Sequence, residues 1–504
     1  MNNQTLIQFF HWYYPGNGVL WKDFANRTSY LSTLGITGAW LPPPYKGGSG
    51  ASSVGYDSYD LFDLGEFDQQ GTVATKYGTK NEYISAVKKA HENNIQVIAD
   101  TVFNHKAHGD ELEKITVRKV NPENRTEFIS EPMEIEAWTK FSFPGRKKKY
   151  SEFIWDYHCF SGIDWAEDRK EKAVYKILNE YGEEWEKLAE EEFGNYDYLN
   201  FSDIDFRNKS VREDLKYWGK WFLKTTGADG FRLDAVKHIN PEFIIEWIDH
   251  MNGISSKKLF YIGEYWNDQN AESLKKYIEV SQGRMQLIDA PLHHNFYRLS
   301  TGGRDYDISK IFENTLISLR PELSVSFVSN HDSQPLQLLE KPINEWCNPL
   351  AYAIILLREQ GIPCVFYPDL YGAEYSDKGK DRNDHHIILK KVNELPALLL
   401  IRKHLAYGIQ RDYFDHKTTV GWTREGIDEK SNSGCAVILS AGDDGWKYME
   451  AGKKHAGEIF ADCLGKVENE ITLDKNGGAE FYCKGGSVSV WVSKTAIENK
   501  LLKI

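Results

Sequence analysis

The stretch "GADGFRLDAVKH", Gly227 to His238, holds an acid between bases in a strand-like setting. From Gly230 to Val236 apolar and polar residues alternate, and a strand points every second side chain the same way. Arg232 and Asp234 are therefore expected on one face, with Phe231, Leu233 and Ala235 on the other. One such ion pair is ordinarily a structural salt bridge. Lys237 and His238 follow at once, however, so the strand ends in a crowd of ionisable groups. The residues just before it, "VREDLKYWGKWFLKTTG", carry apolar side chains at helical spacing, and a glycine closes them. The local unit is thus a helix feeding a strand.

The same unit recurs along the chain. Strand candidates fall at 6–12, 38–44, 95–105, 229–236, 258–266, 285–293, 324–332 and 362–369, and helical patterns such as "NEYISAVKKAHENN" follow the runs. Eight strand–helix units predict a (β/α)₈, TIM-type barrel of the α/β class rather than an open sheet. Two segments break the rhythm. Roughly a hundred residues intervene after the third strand, too many for a plain loop, and read as a small inserted domain. Beyond about residue 397 short strands and turns take over, as in "GCAVILSAG" and "AEFYCKGGSVSVWV", which predicts a C-terminal antiparallel β-sandwich. The expected organisation is a catalytic barrel over 1–104 and 207–396, an inserted domain over 105–206 and a β domain over 397–504. In that sandwich Trp422, Trp446 and Trp491 are expected in the core, the alternative being a secondary sugar site.

The 504 residues carry a formal charge of −13, with 41% hydrophobic and 27% charged side chains. That is the wrong sign for a nucleic-acid binder, and no apolar run approaches the ~20 residues of a membrane span. The single basic run, "GRKKKY" at 145–150, reads as a solvated loop. Six cysteines without C-x-x-C pairing suggest free thiols in a reducing compartment. The start "MNNQTLIQFFHWYY" has neither a basic n-region nor a small-residue cleavage site, so a cytoplasmic protein is the simplest reading. A secreted chain trimmed of its leader would look the same. A monomer is expected.

Active sites of such barrels lie at the C-terminal ends of the strands. There the third strand delivers Asp100, Asn104 and His105, and the fourth Arg232 and Asp234. The fifth delivers Glu264 and the seventh His331 and Asp332. Converging carboxylates repel one another and cost stability, so a function must justify them. Carboxylates with unequal surroundings suggest glycoside hydrolysis. Arg232 is expected to lower the pKa of Asp234 and keep it ionised as a nucleophile. Phe260, Tyr261, Tyr265 and Trp266 are expected to wall Glu264 and raise its pKa, as suits a proton donor. Asp332 remains as a third group beside an oxocarbenium-like centre.

The segments "DTVFNH", "GFRLDAVKH", "GEYW" and "FVSNHD", in this order, resemble the four signature regions of the α-amylase family of glycoside hydrolases. The resemblance covers essentially the whole chain and is closest to bacterial liquefying α-amylases and their cytoplasmic relatives. It implies Asp234 as nucleophile, Glu264 as general acid/base and Asp332 as transition-state stabiliser. A retaining mechanism would place the first two about 5–5.5 Å apart. It also implies that His105, Arg232 and His331 line the subsite of the attacked sugar and that Tyr56 stacks on its ring. Lys237, His238 and Trp266 would contact the leaving-group side.

The family further implies a structural calcium ion (Ca2+), held by Asn104, Asp197, Asp203 and the carbonyl of His238. Hard oxygen ligands suit that ion, and "YDYLNFSDIDF" supplies them. Where secreted relatives place further aspartates for a linked metal cluster, this chain has Ser161, Glu186 and Arg207, although Asp205 is retained. One calcium is expected. The resulting expectation is a retaining endo-hydrolase of internal α-1,4-glucosidic bonds in starch, glycogen or maltodextrins. The alternatives are an exo-acting, maltogenic or transglycosylating relative, or a non-catalytic carbohydrate-binding protein.

Overall fold

The computed structural model describes residues 3–499 and 501–502. Eight parallel strands close into a barrel: β1 (Leu6–Gln8), β2 (Gly38–Leu41), β3 (Gln96–Thr101), β4 (Gly230–Leu233), β5 (Phe260–Gly263), β6 (Gln286–Ile288), β7 (Ser324–Phe327) and β8 (Ile362–Phe366). They follow one another in chain order around the barrel, and β8 closes on β1. Each strand falls inside its sequence candidate but ends earlier. The motif residues beyond those ends are turns at the barrel rim.

The fourth unit shows how local sequence builds this layout. Asn208 caps the helix Lys209–Thr226, its side chain accepting from the Ser210 and Val211 amides. Gly227 ends that helix in a left-handed conformation, φ 77°. Gly230 then lets β4 approach β5 closely, since a Cβ there would lie 2.0 Å from the Phe260 carbonyl oxygen. Phe231 points out against Trp247, ring centroids 5.0 Å apart, while Arg232 points into the barrel and is fully buried. The alternation stops at Leu233. Ala235 adopts φ 48° and lines the cavity at the barrel mouth, so it does not share the face of Phe231 and Leu233 as the alternation predicts.

Between β3 and β4 the chain builds a separate, largely antiparallel sheet of seven strands. Its strand Ser202–Ile204 pairs with His105–Lys106, in register Asp203 to His105, directly above the end of β3. The basic run at 145–150 is not simply solvated. Arg146 is buried and pairs with Asp60 at 2.8 Å, and its guanidinium also donates to the carbonyls of Lys149 and Ser151. The run therefore fastens the insertion to the loop after β2.

The C-terminal part contains a six-stranded antiparallel sheet and a two-stranded sheet, β9 (Gly445–Glu450) with β10 (Gly478–Cys483). They enclose a core of Ile438, Met449, Phe460, Phe481 and Trp491. Trp422 and Trp491 are fully buried, as expected, but Trp446 is 59% exposed. It lies on the outer face of β9, where strand alternation turns it away from the core. All six cysteines are free. Among the described residues no helix is long and apolar enough to cross a membrane.

Candidate active site

A cavity of about 700 Å³ opens at the C-terminal ends of the barrel strands. Its lining includes Asp234, Glu264 and Asp332, together with Tyr56, His105, Lys237, His238, Trp266 and His331. Arg232 lies beneath, inside the barrel. Its Nη1 contacts Asp100 at 2.9 Å and Asp234 at 2.5 Å, and its Nη2 lies 2.8 Å from Glu264. The registers explain this meeting, because Arg232 pairs with Asp100 on β3 and with Ile262, two residues before Glu264, on β5.

One guanidinium thus serves three carboxylates, which changes the expected electrostatics. Burial pushes the Asp234 carboxyl well above its usual range, and Arg232 only opposes that shift while Glu264 and Asp100 add to it. The sequence expectation of a lowered Asp234 pKa fails for two reasons. The group is almost entirely out of water, and Arg232 divides its charge with Asp100 and Glu264. Asp332 is likewise raised, to about 8, first by burial and then by the charge of Glu264. Burial thus opposes ionisation of both Asp234 and Asp332 at the mouth of the barrel.

Of the four aromatic neighbours in sequence, Trp266 lines the cavity with Glu264, whereas Tyr261 reaches Asn252 on a barrel helix and Tyr265 reaches Glu190 in the insertion. Glu264 Oε2 contacts Arg232 and accepts a hydrogen bond from the Ala235 amide at 3.1 Å. The left-handed turn at Ala235 aims that amide, a strained conformation stored where the chemistry would occur.

Aromatic rings form the opposite wall. Tyr56 lies parallel to Trp12, at 5.7 Å and 2°, and to His331, at 5.0 Å and 12°, and those two rings are also parallel to each other at 6.3 Å. Its hydroxyl donates to Asp100, which also accepts from Trp40 Nε1. His105 bonds the Tyr56 carbonyl through Nε2 at 2.7 Å, and burial lowers its pKa to about 4. His331 lies beside Gln8 and is lowered well below its usual value by burial and by Arg232. On the other side Lys237 pairs with Glu192, and its Nζ reaches the Trp266 carbonyl. His238 bonds the Tyr196 carbonyl at 2.7 Å, and burial lowers it to about 4. Sequence reasoning brought Asp100 to the rim without giving it a role, and left Trp12 out of the site. Asp100 stood in the quoted motif, and its register with Arg232 was the missing signal. Trp12 lies in the loop after β1, which carries no strand-end acid to draw notice.

Above β3 lies a second buried cluster. Among the described residues no three His, Cys, Asp or Glu side chains are arranged to hold a metal by themselves. The donors present are mixed oxygens. Asn104 donates to Asp203 at 3.1 Å, and its own Oδ1 is buried without a partner among the described residues. Burial raises Asp197 to about 7 and raises Asp203 well above its usual range, and Asp197 raises Asp203 further. Buried acids that strain one another beside a free amide oxygen fit a hard divalent cation. Next to them the Arg207 guanidinium fills an oxygen cage of its own. Asp205 binds it at 2.9 and 2.6 Å, and the Tyr181 and Glu184 carbonyls lie at 3.2 and 2.9 Å.

The chain matches a family model described as "Alpha amylase, catalytic domain" over residues 20–424. It is 48% identical to a cytoplasmic alpha-amylase of Escherichia coli strain K12, over 99% of this chain and all of that protein. It is 46% identical to an alpha-amylase of Geobacillus stearothermophilus, over 98% of this chain and 87% of that one. Among solved structures, an alpha-amylase from Geobacillus thermoleovorans complexed with acarbose superposes with a TM-score of 0.63. That match has 17% sequence identity and covers 97% of this chain and 98% of the other.

Proposed function

The chain belongs to the α-amylase family of glycoside hydrolases, and from that membership we propose that it cleaves internal α-1,4-glucosidic bonds in starch, glycogen or maltodextrins with retention of configuration. One observation carries the assignment of roles. Asp234 and Glu264 sit on the two terminal nitrogens of a single guanidinium, inside one sugar-sized cavity with Asp332 at its wall. Asp234, held against Arg232, attacks the anomeric carbon. Glu264, steadied by the Ala235 amide, gives its proton to the departing glycosidic oxygen and later takes one from water. Asp332 faces the charge that builds on the ring between those steps. The stacked Tyr56 offers a flat surface to the attacked sugar. His105 and His331, kept neutral by burial, supply ring nitrogens for its hydroxyls.

Endo action is supported by the length of the surface. A second groove, of about 720 Å³, is lined by Lys106, Phe201 and the half-exposed Trp138 and Trp165. It abuts the first where His105 and Phe201 pack at 5.2 Å. A chain of several glucose units threaded through the cavity would run onto those tryptophans.

Asn104, Asp197, Asp203 and the His238 carbonyl would hold one calcium ion. That ion would supply the charge that ties the insertion to the barrel. The guanidinium of Arg207 already fills the neighbouring oxygen cage, which supports one ion rather than a linked cluster. A cytoplasmic location is supported by the six free thiols and by the name of the Escherichia coli relative.

Product analysis on a long maltooligosaccharide blocked at its non-reducing end tests the reading. Internal cleavage with an initially α-configured product is expected. Glu264→Gln should lose about 10²–10⁴ of the rate while still binding the oligosaccharide. An inverted product, or full activity in that variant, would refute the assignment.

A further inference from the structure

The segment 333–341, which follows Asp332, leaves the barrel rim and returns to it as a closed arm. Its two ends are joined, the Lys341 amide donating to the Ser333 carbonyl at 3.0 Å. Its root is the turn that holds Asp332, where Asn330 Oδ1 accepts from the Asp332 and Ser333 amides at 3.1 and 2.8 Å. Within the arm Leu336 sits at φ 71°, a left-handed conformation that a branched side chain adopts only where its surroundings hold it.

The neighbouring loops supply that hold. Gln334 Oε1 accepts from the Trp12 amide at 3.1 Å, and its Nε2 donates to the Tyr375 hydroxyl at 3.0 Å. Gln337 donates to the Tyr13 hydroxyl at 2.8 Å, and that hydroxyl donates to the Leu336 carbonyl at 3.4 Å. Tyr13 in turn stacks on Tyr375, with centroids 4.0 Å apart. On the other side the Lys341 ammonium pairs with Asp268 and donates to His294 Nδ1 at 3.2 Å. Asp268 lies four residues beyond Glu264, so this pair ties the loop of the proton donor to the loop of Asp332.

The tip differs from the stem. Leu338 is 85% exposed, more than any other large hydrophobic side chain among the described residues, and it lines the catalytic cavity together with Asn267 and Gln269. A lone leucine on a surface is ordinary. Here the backbone beneath it is strained and anchored on several sides, while its apolar end is left in water beside the reacting carboxylates. A side chain presented in that way loses little freedom when a ligand covers it.

We propose that Leu338 is a specificity-determining residue for glucan hydrolysis, laying its isobutyl group on the apolar C–H face of the glucose unit between the arm and the 266–269 loop, and that Lys341 is the positioning residue that holds the arm there through Asp268. Leucine makes no hydrogen bond, and its contact is the same before and during bond breaking, so it acts on KM rather than kcat. The Lys341 ammonium is already engaged by Asp268 and His294, so it acts through the arm and not on the sugar. The proposal rests on α-glucan being the substrate.

Kinetics of the intact protein on blocked maltoheptaose test it. Leu338→Ala should raise KM about tenfold, the effect of uncovering part of one aliphatic side chain. Its kcat should stay within about twofold of wild type, and its urea unfolding should not change, because the side chain is already solvated in the free protein. Leu338→Met, which keeps the apolar contact, should return KM to near the wild-type value. Lys341→Met should raise KM and shift the product lengths from long maltooligosaccharides in the same direction as Leu338→Ala, whereas Lys341→Arg should do neither. A KM in Leu338→Ala equal to wild type overturns the proposal, as does a loss confined to kcat. A Lys341→Met variant that is less stable in urea but keeps its KM and product lengths overturns the positioning role. If the wild-type protein does not cleave blocked maltoheptaose at all, the substrate reading has failed and the proposal falls with it.

Discussion

Replacing Asp100 by asparagine removes one charge from the barrel interior and changes almost nothing in shape. The wild-type carboxylate is fully buried and accepts three hydrogen bonds, one from Arg232 on Oδ1 and two, from Trp40 and Tyr56, on Oδ2. An asparagine that keeps its oxygen on Arg232 turns an NH₂ towards the Trp40 N–H, so donor faces donor. An unsatisfied buried donor costs about 1–3 kcal/mol, and the bond to Arg232 loses its charge assistance. Together the loss should come to about 3–5 kcal/mol, as for other broken buried pairs. The catalytic consequence has a definite sign. Asp100 raises the pKa of both Asp234 and Asp332, so its neutralisation lets Arg232 favour ionised Asp234 at lower pH. Activity falls on the acid side as the nucleophile is protonated, and that limb of kcat/KM against pH should therefore move to lower pH. Urea unfolding and a pH–rate profile on blocked maltoheptaose read the two effects. A variant as stable as wild type, or an acid limb that stays put or moves upward, would sink the account of Asp100 as the residue that divides the charge of Arg232.

Four further outcomes are expected. Metal analysis of the purified protein should find about one equivalent of calcium per chain, with chelation lowering the melting temperature; two equivalents would contradict Arg207 as the occupant of the adjoining cage. Trp138→Ala should raise KM about tenfold for long maltooligosaccharides with little change for short ones, read from product-length profiles. His293 is buried, donates through Nδ1 to the Val328 carbonyl at 2.7 Å, and is lowered to about 4 by burial. Its folded pKa lies below the unfolded value near 6.5, so its contribution is intact above that pH and is lost as pH falls towards 4. Between pH 7 and 5 it should cost about 2 kcal/mol, and His293→Asn should show a correspondingly shallower fall in urea stability. Arg146→Met should leave Asp60 buried without its partner and destabilise by about 3–5 kcal/mol in urea unfolding, although the run around it looks solvated in sequence.

Much of the site was legible because it lies at strand ends. A buried strand must be apolar, so an acid or imidazole just beyond one is conspicuous, and Asp234, Glu264, His331 and Asp332 were found that way. What could not be read were side-chain destinations. Tyr261 and Tyr265 flank Glu264 in sequence, but Tyr261 points outward from β5 to Asn252, and Tyr265, beyond the strand's end, packs on Tyr277 and bonds Glu190 of the insertion. The proton affinity of Asp234 also escaped, since it depends on how many carboxylates share Arg232, and Asp100 comes from 132 positions away. Trp446 was misplaced for a similar reason: a sandwich strand has two faces, and composition does not say which one meets the core.

The sequence alone determined the succession of strands and helices, the order of the motifs and the chemical inventory at each rim, because these are set by period, capping and residue type within a few positions. The closed barrel's registers decided the rest. They brought Asp100, Asp234 and Glu264 onto one guanidinium, and they set Asp203 above His105. Coulomb energies and desolvation depend on distances between residues far apart in the chain, and only folding fixes those distances.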